Sequence, residues 1–304
     1  MEHDVVEMHR RAVHAFGERV NGVAETAWRQ PTPCREWDVG ALVDHLVVEN
    51  LWIPPLLAGK RIDEVTGIPD GDVLGDDPLR AWDASAAEAL AAAAQTPLDA
   101  TTHLSFGDVP VAEYLWQLTV DALVHAWDLA RATGQDETFD AGLVAACAEW
   151  FGGVEDDYRS AGVIGPAVDS DSDDPLVRLV GRLGRDASAQ DPLGAVARFI
   201  EAFNRQDLDA LAGLMADDVA FVDTTPPNGT AHHGREAVLD AFASFFDESP
   251  SASFETLGGF VADRHVVIRW RYRWGEAPVD HIDGIDVFRV AGGKVTEKLS
   301  FVKG

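Results

Sequence analysis

Apolar residues recur at helical spacing from the start of the chain. Val5, Met8, Ala12, Phe16 and Val20 stand three or four apart and predict a helix over residues 3–29. PTPCREW then reads as a proline-punctuated loop, and Asp38 as the N-cap of a second helix that Pro54 and Pro55 would end. Residues 60–78, rich in Gly, Pro and Asp, predict a loop or lid, and an Ala-rich helix follows over about 79–95. HLSFGDVP fits a short extended turn, and Pro110 suits the first turn of a long apolar helix. Another helix covers about 139–160, AVDSDSDD is a solvated acidic loop, and PLVRLVGRLG is a short helix. This first half is nearly all helix, the pattern of a bundle.

After Asp191 the pattern changes. Residues 192–205, 207–215 and 234–247 read as helices, and 219–224 as a short strand. SFETLGGFVA, HVVIRWRYRWG, HIDGIDVFRV and KVTEKLSFVKG then follow as β-rich runs, with Gly292-Gly293 as a two-residue hairpin turn. Helices followed by an antiparallel sheet predict an α+β fold. The break divides the chain into domains over 1–186 and 191–304, with ASAQD as the joint. There is no fixed-period repeat.

Composition narrows the function classes. Fifty-two acidic residues against 24 Lys and Arg give a formal charge of −28. Such a surface repels phosphate backbones and anionic lipid, which excludes nucleic-acid or membrane binding as the main activity. No apolar run approaches the roughly 20 residues of a membrane span. MEHDVVEMHRRAVHAF lacks the apolar core of a signal peptide, and Cys34 and Cys147 make no disulfide framework; together these read as a cytoplasmic protein.

The chemistry concentrates in the long apolar helix. Gln117, Asp121, His125 and Asp128 make one polar stripe on it, because positions three or four apart share a helix face. A buried carboxylate and imidazole need partners. A divalent metal is one such partner, with His45 as a third ligand; a hydrogen-bonded polar stripe satisfies the spacing equally well. Glu49, one turn after His45, would replace or supplement a ligand, and Asp128 would orient His125 from behind. In the second half, Arg269, Arg271 and Arg273 alternate with Trp270, Tyr272 and Trp274, as in a strand with one wet face and one core face. The alternative is an anion-binding or dimer-forming face. Asp286 falls opposite His281 and Asp283 if the strand is regular, and a bulge near Gly284 would reverse that. His232-His233 reads as a loop. GGKVT lacks the glycine spacing of a phosphate loop.

TPCREWDVGALVDHLVVENLW and LVHAWDLARATGQD resemble the N-terminal metal-binding domain of mycothiol-dependent maleylpyruvate isomerases, within the wider DinB-like four-helix bundles. The likeness covers about residues 1–186, and LVRLVGRLGRDA fits actinobacterial members. It implies a divalent metal, usually zinc, at His45, Asp121 and His125, and mycothiol as a thiol cofactor bound as thiolate. The isomerase pattern has Glu at the position of Asp121, whose side chain is one methylene shorter.

DPLGAVARFIEAFNRQDLDALAGLMADDVAFVD, HHGREAVLDAFASFF and DGIDVFRVAGGKVTEKLSFVKG resemble the SnoaL-like group of the nuclear-transport-factor-two-like fold. The likeness implies a cone of curved antiparallel sheet and helices around an apolar cavity over 191–304. Against the ketosteroid isomerases that share this fold, Asp223 falls at the general-base carboxylate and Asp286 at the acid that donates to an oxyanion. Phe199 stands where that family has its oxyanion tyrosine.

Three functions follow as expectations. The first is a metal-dependent, thiol-dependent isomerase or transferase acting on a small molecule, with an accessory pocket domain. The second is a SnoaL-like isomerase or cyclase using Asp223 and Asp286, with the bundle as scaffold. The third is a protein that binds a small ligand without chemistry. The exposed sheet of the second domain leaves room for a homodimer.

Overall fold

A computed structural model describes residues 3–34, 36–69, 71–187, 192–250, 253–262, 264–274 and 280–303. The chain divides into two compact units. One comprises Met1–Gly22, Gly40–Leu129 and Glu137–Ala187; the other comprises Val23–Val39, Ala130–Asp136 and Ser188–Gly304. Residues 188–191 of the ASAQD joint lie outside the described residues.

The first unit is built on helices α1 (Val5–Asn21), α2 (Val39–Leu57), α3 (Pro78–Gln95) and α4 (Val111–Thr133), followed by α5 (Ala141–Ser160) and α6 (Pro175–Arg182). Asp4 starts α1 by accepting from the amides of Val6 and Glu7. The helix stops at Asn21, so the expected run to residue 29 is too long. Gly22 caps it, and the apolar spacing ends with Val20. Pro54 and Pro55 lie inside the last turn of α2 rather than beyond its end. Their carbonyls still accept from Ala58 and Lys60, so only two amide donors are lost at the helix terminus. Val5, Ile53, Leu56, Ala89, Ala93, Tyr114, Leu115 and Leu118 form a core to which all four of the first helices contribute. HLSFGDVP forms a small hairpin, β1 (Thr101–Leu104) with β2 (Gly107–Pro110), and Pro110 ends the strand just before α4. No helix of the described residues is long and apolar enough to cross a membrane.

The second unit holds α7 (Pro192–Asn204), α8 (Leu208–Leu214), β3 (Met215–Val222), β4 (Ala231–His233), α9 (Arg235–Glu248), β5 (Ser253–Ala262), β6 (His265–Arg273), β7 (His281–Ala291) and β8 (Lys294–Val302). The six strands run in the order β4-β3-β8-β7-β6-β5. Every pairing is antiparallel except β3 with β8, which is parallel. His232 and His233 belong to strand β4 rather than a loop, because the backbone of Ala231–His233 pairs with β3. Gly292 and Gly293 make the β7–β8 turn with φ of 59° and 71°, a left-handed pair that glycine adopts without strain. Phe199, Phe242, Val266, Ile268 and Phe288 form the core between α7, α9 and one sheet face. β7 runs through Gly284 in regular register with β6, so Asp286, Phe288 and Val290 share the buried face. A bulge at Thr296 in β8 keeps both Val295 and Lys298 turned inward.

Candidate functional site

α2 supplies His45 and α4 supplies Asp121 and His125, and the bundle brings the three side chains together. The Asp121 carboxylate lies between the imidazoles, with Oδ1 3.3 Å from His125 Nε2 and Oδ2 3.6 Å from His45 Nε2. The two rings meet edge to face, with centroids 5.4 Å apart. One nitrogen from each histidine and a carboxylate oxygen all lie within 4.8 Å of one another. Asp121 keeps 37% of its side-chain surface, so the cluster has an open side. Its Oδ2, however, is shut from solvent and has no hydrogen-bond partner among the described residues. Burial alone would raise the Asp121 carboxyl. His125 and His45 outweigh it and hold the carboxyl well below the usual carboxylate range.

Behind His125 stands a second layer. His125 Nδ1 is 2.9 Å from Asp128 Oδ2, and Asp128 is fully buried. Arg185, three residues beyond α6, donates to both Asp128 oxygens at 3.3 and 2.8 Å. Burial pushes Asp128 up, but His125 and Arg185 prevail and keep it ionised. An ionised Asp128 accepts from His125 Nδ1–H, which fixes the ring so that Nε2 faces Asp121. Arg185 carries no sequence signal at loop spacing. The clue was the demand of Asp128 itself, a carboxylate in an apolar helix that needs a cation.

Glu49 sits near the same cluster, one turn after His45 on α2. Burial raises its carboxyl and the Asp121 charge raises it further, against the pull of His45 and His125. Burial, Glu49 and Asp121 likewise push the Tyr114 hydroxyl up. Cys147 offers no nucleophile, since burial pushes its thiol up to about 12.

The residues fit a divalent cation. Two imidazole nitrogens and one carboxylate oxygen are a zinc-type donor set that leaves one position open. The buried Oδ2 of Asp121 has His45 Nε2 3.6 Å away but no hydrogen-bond partner among the described residues, and a cation would supply one.

The carboxylates singled out in the second unit take separate places. Asp223, just after β3, accepts from the Thr225 and Thr230 amides at 2.8 and 2.7 Å and lies 3.2 Å from His232 Nε2. Burial would raise it, but these bonds lower it, as befits a turn-capping carboxylate. Asp286 lines a cavity of about 40 Å³ together with Phe199, Phe203, Phe254, Trp270 and Lys298; Asp223 is not among the lining residues. Asp286 is ion-paired with Lys298 at 2.8 Å and accepts from the Ser300 hydroxyl at 2.7 Å. Lys298 escaped the sequence reading because its spacing in KVTEKLSFVKG marks an outward residue until the bulge is known. On the opposite sheet face Arg271 donates to both oxygens of its cross-strand partner Asp283 at 2.7 and 3.0 Å.

Comparison with known proteins matches two separate stretches of the chain. Residues 9–130 match the family described as mycothiol maleylpyruvate isomerase N-terminal domain, and residues 196–298 match the SnoaL-like domain. The uncharacterized protein Rv0738 of Mycobacterium tuberculosis is 36% identical over 141 residues, 46% of this chain and 73% of that protein. Among solved structures, an NTF2-like protein of unknown function from Mesorhizobium loti is 32% identical, covering 36% of this chain and 88% of that one with a TM-score of 0.33. A putative polyketide cyclase from Sinorhizobium meliloti is 21% identical, covering 37% of this chain and 98% of that one with a TM-score of 0.32.

Proposed function

Because the chain belongs over residues 9–130 to the mycothiol maleylpyruvate isomerase N-terminal domain family and over 196–298 to the SnoaL-like family, we propose that it is a metal-dependent isomerase or transferase acting on a small molecule with a low-molecular-weight thiol. Its metal centre would be His45, Asp121 and His125, with zinc as the ion that suits the donors and mycothiol as the thiol. The observation that carries this reading is the Asp121 carboxylate, buried at Oδ2 without a hydrogen-bond partner among the described residues and flanked by two imidazoles.

When bound, the cation would supply Lewis acidity and hold the thiol in its ionised form. The chain's own residues do the rest. Asp128 fixes the His125 tautomer, and Arg185 holds Asp128 ionised. Glu49, whose carboxyl is raised by burial and by the Asp121 charge, stands beside the cluster. The remaining exposure of Asp121 and His45 leaves the approach from solvent open.

Elemental mass spectrometry on untagged protein tests the assignment. About one zinc or similar ion per chain is expected in the wild type, and its loss in His125→Ala. A wild-type protein that stays metal-free after incubation with zinc, or a His125→Ala variant that keeps a full complement, would overturn it.

A further inference from the structure

Three aromatic side chains and one carboxylate meet on the first unit, between α4 and α5. Trp116 of α4 stacks on Trp150 of α5, with ring centroids 6.2 Å apart and planes within 12°. Tyr158, two turns further along α5, meets Trp150 edge-on, with centroids 6.2 Å apart and planes at 79°. The rings therefore form two walls close to a right angle. Glu113, one turn before Trp116 on α4, accepts from Trp150 Nε1 at 3.4 Å. Its charge also reaches Tyr158, whose hydroxyl burial and Glu113 together push up to about 12. The phenol is thus neutral at ordinary pH, and its ring keeps a negative face. All four side chains are half-buried, so each keeps some surface open to solvent. Trp150 and Tyr158 stand apart from the α5 face buried in the bundle, which holds Leu143, Val144, Cys147 and Phe151.

Aromatic faces and a carboxylate are both negative, and together they attract a cation. The chain supplies none. Among the described residues no Lys or Arg stands over these three rings or pairs with Glu113, whereas Arg19 lies over Phe139 and Arg182 over Phe151. Arg159, next to Tyr158, is committed to Glu155 and to the Gly165 and Arg182 carbonyls. Two features select the missing cation. A bare ammonium is strongly hydrated, and half-exposed rings cannot replace its water. An ammonium clothed in methyl groups spreads its charge over apolar surface that the rings can cover. Glu113 and the overall charge of −28 repel any ligand that also carries negative charge. We propose that Trp116, Trp150 and Tyr158, with Glu113, bind a small quaternary ammonium ion that has no anionic group.

Choline, neohexyl alcohol and phosphocholine are matched probes: the cation, its uncharged carbon isostere, and the same cation carrying a phosphate. Full-length protein with ¹⁵N-labelled tryptophan reports on the site through the Trp150 indole resonance, identified by its absence in Trp150→Phe. Sodium chloride at about 0.15 M screens attraction by the overall charge. Choline is expected to shift that resonance saturably, with neohexyl alcohol and phosphocholine each binding at least about tenfold more weakly. Tyr158→Leu removes a ring face but keeps apolar bulk, and should weaken choline about threefold. Glu113→Gln removes the charge but keeps the shape, and should weaken choline to a similar degree. Tyr158→Phe keeps the ring and should bind choline as the wild type does, which separates loss of a ring face from damage to the fold. Equal binding of choline and neohexyl alcohol, no saturable shift of the Trp150 resonance, or affinity unchanged in both Tyr158→Leu and Glu113→Gln would overturn the proposal. So would an equal loss of affinity in Tyr158→Phe and Tyr158→Leu. Phosphocholine binding as tightly as choline would overturn the exclusion of anionic ligands.

Discussion

His9 is buried on the inner face of α1, and neither ring nitrogen has a hydrogen-bond partner among the described residues. Burial pushes its imidazole down from 6.5 to about 4. The folded chain therefore binds this proton less readily than the unfolded chain. Its contribution to stability is full above about pH 6.5, falls as pH drops through the 6.5–4 window, and is gone below about 4. The span is worth about 3 kcal/mol. Glu49, raised by burial, opposes this trend in part of the same range, so the test is a difference. Urea unfolding of wild type and His9→Leu between pH 4 and 7.5 should show the variant losing less stability on acidification, by up to about 3 kcal/mol. Parallel pH profiles would refute the assignment. At this scale the sequence was legible where spacing alone decides. Asp121 and His125 are four apart in an apolar helix, so their shared face needed no tertiary information. Arg185 and Lys298 were not legible, because each takes its role from a partner on another element.

Helix packing makes glycine at position 17 a requirement rather than a weakness. A Cβ on Gly17 would stand 2.7 Å from Trp82 Nε1 of α3. Trp82 is 3% exposed and packs on Phe16 with ring centroids 4.7 Å apart, so the indole has little room to withdraw. Gly→Ala inside a helix ordinarily stabilises by about 1 kcal/mol. Overpacking a filled core costs about 1–3 kcal/mol, so the sign here inverts. Gly17→Ala should lower the urea midpoint, by about 1 kcal/mol of stability; a raised midpoint would show that α1 and α3 can separate freely. The elements themselves were legible where a period persists, as in α4 or the β7–β8 hairpin. They were misread where tertiary pairing sets the state. β4 is three residues long and exists through its bonds to β3, and the parallel β3–β8 pairing joins segments more than seventy residues apart.

Taken whole, the molecule carries 52 acidic against 24 basic residues, an imbalance that local pairing cannot remove. Exposed pairs such as Arg10 with Glu7, and Arg11 with Glu7, are solvent-screened, contribute little and weaken in salt. Repulsion among the surplus carboxylates acts over the whole surface, and salt weakens that as well. The two effects oppose each other, and the charge of −28 decides between them. Screening relieves many unfavourable like-charge contacts and forfeits a few weak favourable ones. The apparent melting temperature at pH 7.5 should therefore rise as sodium chloride goes from about 0.02 to 0.5 M, by about 2–4 °C for each kcal/mol of repulsion relieved. The metal-free protein is the proper sample, because a bound divalent cation would add its own stabilisation. A melting temperature that falls with salt would mean that the acids are spaced widely enough for the favourable pairs to dominate.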